Sequence, residues 1–235
     1  MEIISSIHQI DGVRGANCYL VTSGPEMFLI DTGMPRNGNL IINYIKRIGK
    51  NPSDLKFIIR TYSDIDHVGS VAELKKITSA KIAIHENDAA ILSGKAKFKS
   101  VRGPLGLLFK LASPLMGFHP VVPDIILKDN MDIAGYKVIF TPGHTNGSIC
   151  LYQPGKTIFV GDALKSDADG NPGPPSKTMS IDLTEAKRSV IAISKLEFDI
   201  LLPGHGAPVK GGASAKLKGM LAKLQWDEEI PATKK

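Results

Sequence analysis

The chain's 235 residues are 43% hydrophobic and 22% charged. That is enough for one sizeable α/β domain or two small ones, and it excludes disordered, collagen-like and coiled-coil chains. The formal net charge of +6 is diffuse and reads as a solvated basic surface, with no separate nucleic-acid module. No run nears the ~18 apolar residues of a membrane span, and no basic-then-apolar leader opens the sequence. Cys18 and Cys150 each lie in an apolar strand-like run, so the expectation is a cytoplasmic protein with buried, reduced thiols.

In chain order, strands are predicted at Ile3–Ile10, Asn17–Thr22 and Met27–Asp31. A helix over Leu40–Ile48 follows, with apolar residues at Leu40, Ile41, Ile42, Ile45 and Ile48; Gly49 and Pro52 end it. Next come a strand at Lys56–Arg60, a helix at Val71–Thr78, a strand at Lys81–His85 and a helix starting near Asn87. Residues 93–123 break the rhythm. They are rich in Gly, Pro and Lys around apolar clusters, and read as a lid or insertion between two halves, about 1–92 and 124–235. The second half has strands at Ile125–Leu127, Tyr136–Thr141, Ile149–Gln153, Thr157–Gly161 and Phe198–Leu202, with helices at Leu183–Leu196 and Ser214–Trp226. Two similar β-then-α units packed face to face make one α/β (α+β) domain, a four-layer αβ/βα sandwich with helices outside.

Several polar residues share one context: an apolar strand runs into a turn that delivers Asp or His, which is where α/β enzymes place their sites. Phe28–Ile30 leads to Asp31-Thr32-Gly33, and Phe57–Ile59 leads toward Asp64-Ile65-Asp66-His67. Val138–Phe140 leads to Thr141-Pro142-Gly143-His144-Thr145, Ile158–Val160 to Gly161-Asp162, and Ile200–Leu202 to Pro203-Gly204-His205-Gly206. Taken singly, Asp66 could cap a helix, Asp162 a turn, and His144 and His205 could be loop residues satisfied by backbone. Asp64 reads equally as a ligand or an exposed loop acid, and His85 as a structural residue.

The five turns, in this order, resemble the motifs of the metallo-β-lactamase superfamily, and the glycine-flanked third and fifth are most like its hydroxyacylglutathione hydrolase (glyoxalase II-like) branch. The resemblance implies a two-metal scheme. One ion takes three histidines, the other takes Asp-His-His, and an aspartate is shared. Carried over, Asp66, His67, His205 and the shared Asp162 form a complete second set, while the first is reduced to His144, Asp162 and Asp64. Asp31 would orient a ligand from behind. Two departures stand out: Tyr62 and Asp64 occupy the places of the family's first two histidines, and Tyr62 reads as a packing residue beside the site. Two divalent ions would then meet Asp64, Asp66, Asp162 and a hydroxide, a formally neutral pair. The resemblance implies one or two divalent transition-metal ions, zinc first, with iron or manganese as the alternatives that the extra carboxylate suits.

The expected activity is hydrolysis of a thioester, lactone or other ester by metal-activated water, with Asp66 both ligand and proton acceptor. The expected partner is a small molecule, for instance an acyl group on an anionic carrier that meets Lys95, Lys97, Lys99, Arg102 and Lys110; the same basic segment reads as well as a surface helix or a homodimer contact. A phosphodiesterase or nuclease on this scaffold, and a non-catalytic descendant with a degraded first site, are the alternatives.

Overall fold

The computed structural model describes residues 1–22, 26–99 and 117–226. Its first sheet takes seven strands in sequence order: β1 (Glu2–Ile4), β2 (Ile7–Gln9), β3 (Tyr19–Val21), β4 (Met27–Ile30), β5 (Leu55–Ile59), β6 (Lys81–His85) and β7 (Ile125–Leu127). Strands β1–β4 form an antiparallel meander. From β4 onward pairing is parallel. Parallel neighbours need crossovers, supplied by α1 (Gly38–Arg47), α2 (Ile65–Val68) with α3 (Val71–Thr78), and α4 (Glu86–Leu92).

The second sheet holds β8 (Asp132–Ile133), β9 (Tyr136–Phe140), β10 (Ile149–Gln153), β11 (Thr157–Gly161) and, beside β11, β14 (Ile200–Pro203). Only the β11–β14 pair is parallel, connected through α5 (Leu183–Ser194). A two-stranded ribbon, β12 (Lys165–Ser166) with β13 (Pro172–Gly173), lies between them in sequence, and α6 (Ala213–Leu224) is the last described helix.

Side chains alternate across each strand, and here both faces are buried. Leu20, Leu29, Ile58, Ile82 and Ile84 face Ile41, Ile45 and Leu74 of the helices. Their neighbours Tyr19, Val21, Phe28, Ile30 and Ile59 face the other sheet, meeting Val138, Leu151, Phe159 and Leu202. Cys150, Ile158, Val160 and Leu201 point outward onto Val190, Ile193, Leu217 and Leu221. Three cores separate four layers. Double burial explains why the strands read as continuous apolar runs rather than alternating ones. Cys18 and Cys150 are free and buried in different cores, and burial raises both thiols, Cys150 to about 12.

The structure corrects the sequence reading in three places. Ile3–Ile10 is two strands, because Ser6 takes a positive φ of 71° and turns the chain back on itself. Ile125–Leu127, read with the second half, pairs with β6 in the first sheet. Strands β8, β12 and β13 span two residues each, too short to leave a period. Of the expected lid, residues 100–116 lie outside the described residues.

Candidate metal centre

The motif residues gather at one end of the sandwich, where β4, β5, β9, β11 and β14 all finish. The two sheets are tied there by backbone bonds, Ile149 N–H to Thr61 carbonyl at 2.9 Å and Asn17 N–H to Gly204 carbonyl at 2.7 Å. Asn17 also donates its side-chain amide to the carbonyls of Pro203 and Gly206, and the Tyr19 hydroxyl donates to Pro203. These bonds hold the loop that carries His205.

Asp31 sits behind the cluster, 1% exposed, with a positive φ of 60° where β4 ends. Its Oδ1 accepts from Arg60 Nη2 at 2.7 Å and from Thr61 N–H at 3.0 Å. Its Oδ2 accepts from the Thr61 hydroxyl at 2.6 Å and meets His67 Nδ1 at 2.7 Å. Burial alone would raise this carboxyl; the positive partners His67 and Arg60 outweigh it and hold it below its ordinary value. With Nδ1 committed to Asp31, His67 presents Nε2 to the site.

His67 Nε2 lies 3.3 Å from Asp162 Oδ1. Both atoms are buried, and apart from facing each other they have no hydrogen-bond partner among the described residues. Buried polar atoms are rarely left so, and a cation between them would satisfy both. The remaining donors surround the same point. His205 Nε2 is 3.2 Å from Asp66 Oδ2 and 3.6 Å from Asp162 Oδ2. Donor atoms of Asp66, His67 and His205 all lie within 4.8 Å of one another. Imidazole nitrogen and carboxylate oxygen are the donors zinc and its neighbours take, so this set fits a divalent ion.

The electrostatics agree. Burial works against charge on Asp162 and Asp66, yet the histidines keep both carboxyls below the ordinary range. His205 is raised, first by its bond to Asp66. His67 is raised although burial opposes it, because Asp31 and Asp162 flank it. The cluster favours added positive charge, which a metal ion would supply. Gly204 makes room for it. A Cβ there would stand 2.3 Å from Asp162 Oδ1 and 2.7 Å from His67 Cε1.

The other expected first-set residues meet something else. Asp64, the residue before α2, has its Oδ2 2.7 Å from Lys99 Nζ and 3.5 Å from His144 Nε2. His144 Nε2 is itself 2.7 Å from Lys99 Nζ and 3.7 Å from Asp162 Oδ2. Tyr62, 1% exposed, packs its ring 4.2 Å from the His67 ring and 4.7 Å from that of His144. Burial and the surrounding aspartates push its phenol well up. A divalent ion does not fit this half of the site as it stands, because an ammonium fills it.

Three residues of the site escaped the sequence reading. Arg60 and Asp88 are wholly buried. Asp88 Oδ2 accepts from Ser63 N–H and from the Thr145 hydroxyl, both at 2.9 Å, and so ties the loop of Asp64 to the loop of His144. The signal for each was a charged residue beside an apolar strand or helix. Lys99 is expected from the sequence, with the rest of its basic segment, to meet an anionic carrier or to lie on a surface helix or dimer contact; Lys95 and Lys97 are exposed, but the Lys99 side chain is 6% exposed. Arg102 and Lys110 lie outside the described residues. The remaining histidines stand apart from the donor cluster. His85 stacks on Phe140 at 4.5 Å and caps α4 by accepting from Asn87 N–H. His8 meets Tyr44, and His119 lines a different groove. Among the described residues no helix is long and apolar enough to cross a membrane.

The model of the metallo-β-lactamase superfamily matches residues 11–205. A probable metallo-hydrolase of Bacillus subtilis, YflN, is 30% identical over 238 residues, covering 89% of this chain and 87% of its own. An atrochrysone carboxyl ACP thioesterase of Aspergillus fumigatus is 26% identical over 207 residues, covering 84% of this chain and 53% of its own. The subclass B3 metallo-β-lactamase BJP-1 of Bradyrhizobium japonicum shares the fold, with TM-score 0.70 at 20% identity over 97% of this chain and 93% of that one. Because the family match runs from before Asp31 to His205 and takes in every donor of the site, the chain belongs to the metallo-β-lactamase superfamily and is a metallo-hydrolase by class.

Proposed function

We propose that the protein hydrolyses a small thioester, lactone or other ester with a divalent ion, zinc first among the candidates, held by Asp66, His67, Asp162 and His205. The facing pair of buried, unpartnered atoms, His67 Nε2 and Asp162 Oδ1, carries this reading. When bound, such an ion supplies Lewis-acid activation of water and of the substrate carbonyl. Asp66 is the more exposed of the two carboxylates in the set, 30% against 18% for Asp162, and is oriented by His205. In this reading it accepts the proton of the attacking water. Asp31 and Arg60 fix His67 from behind.

The donors open on a cavity of about 310 Å³, walled by Tyr62, Asp64, Met179 and Ser176, with Lys165 at its rim. That is the small end of ligand-sized pockets and suits a short acyl group. An exposed lysine at the rim suits an anionic carrier outside, and the thioesterase relative supports the thioester among the three linkages.

The test is a panel of thioesters, esters and lactones on zinc-loaded protein, with elemental analysis alongside. Asp66→Asn and His205→Ala are expected to lower kcat/KM by about 10²–10⁴, with His205→Ala also losing its metal, while His85→Ala stays active. Wild-type activity and metal content in His205→Ala would sink the assignment.

A further inference from the structure

We propose that the ammonium of Lys99 holds the first metal position of this site, so that the chain works with one divalent ion and one built-in cation. The proposal rests on the reading above for the neighbouring position and deepens it.

Lys99 has three N–H donors and three acceptors at hand: Asp64 Oδ2 at 2.7 Å, His144 Nε2 at 2.7 Å and the His144 carbonyl at 3.2 Å. The same ammonium stands 5.5 Å from the centre of the Tyr62 ring, within cation–π range. His144 Nε2 has one in-plane lone pair and can direct it at one partner. An ion taking that lone pair would sit roughly 2.0–2.1 Å from the nitrogen, in the direction where Nζ already lies at 2.7 Å. Lysine and metal therefore exclude each other at this point.

Both departures from the family's second motif have the same explanation. A carboxylate at Asp64 offers an ammonium a full counter-charge, and a ring at Tyr62 offers it a π face, where two imidazoles would have offered a metal ion two donor nitrogens. The charges also close when the nucleophile is counted as neutral water. Lys99 and one divalent ion carry one plus two positive charges, against the three negative charges of Asp64, Asp66 and Asp162. The segment that delivers the lysine is anchored next door: Phe98 packs on the first core and meets Phe118 edge-on at 5.0 Å.

Zinc stoichiometry decides it. Protein stripped of metal and dialysed against excess zinc should hold one ion per chain as wild type and two as Lys99→Met, with zinc raising the melting temperature further in the variant. Lys99→Ala serves the same purpose should the methionine variant fold poorly. Two ions on the wild type, meaning that the lysine yields its place, would overturn the proposal, as would a single ion on both Lys99 variants. His205→Ala in the same assay tests the neighbouring position separately. It should lose the wild-type ion, and its retention would fault that donor set rather than the lysine.

Discussion

Asp88 shows how much a single buried carboxylate organises here. It is inaccessible, its Oδ1 has no partner among the described residues, and its Oδ2 accepts from both Ser63 and Thr145. Truncation strands a buried amide N–H and a hydroxyl, so Asp88→Ala is expected to cost about 1–3 kcal/mol in urea unfolding. Burial raises the Asp88 carboxyl above its ordinary value of 3.8. A carboxyl raised in the folded state keeps a proton that the unfolded chain has released, so its contribution is present below the ordinary value and is lost as pH rises through the raised one. Asp88→Asn removes that dependence. Its stability relative to wild type should therefore increase from acid toward neutral pH, and a difference that is flat with pH would remove the role of the charge.

At the scale of elements, α5 and its cap Asp182 clamp the loop that carries His144. Asp182 N–H bonds the Gly143 carbonyl at 3.0 Å, and the Ser189 hydroxyl bonds the Pro142 carbonyl at 2.7 Å. The helix can begin there because the Asp182 side chain accepts from Glu185 N–H at 3.0 Å, satisfying one of the donors that every helix start leaves open. Asp182→Ala should lower stability by about 0.5–2 kcal/mol, measured by chemical denaturation, without changing zinc content. The opposite pattern, intact stability with lost zinc, would mean that the carboxylate serves the site directly. Helix α2 is different. It spans four residues and the Asp64 side chain makes no cap bond to it, so this turn is held by its neighbours. Gly69 N–H reaches the Gly33 carbonyl, and the His67 carbonyl accepts from Thr32 N–H and its hydroxyl.

For the molecule as a whole, the donor set draws on both sheets, since Asp66 and His67 follow β5 while Asp162 and His205 follow β11 and β14. A metal ion bound there would couple the halves of the sandwich and favour the folded state, which alone assembles the full donor set. With free zinc at a thousandfold excess over Kd this linkage is worth about 4 kcal/mol, or roughly 8–16 °C for a chain of this size. A chelator should lower the melting temperature by about that much in wild type and by little in His205→Ala. Equal melting points with and without chelator in wild type would argue against a bound ion.

Much of this was legible in one sequence, because the signals are local. Apolar runs of strand length, helical periods and turns such as Thr141-Pro142-Gly143-His144 are set by backbone preference within a few residues, and they sufficed for the four-layer sandwich and for naming the Asp and His residues that its strand ends bring together. What only the tertiary structure decided is which charges meet. Lys99 lies 45 residues from His144, and Asp88 lies 57 from Thr145. A lysine in a basic stretch carries no local mark of whether it will face water or a buried carboxylate, since that depends on two loops brought together by the packing of two sheets. The meeting of Lys99 with Asp64 and His144 is accordingly a property of the fold.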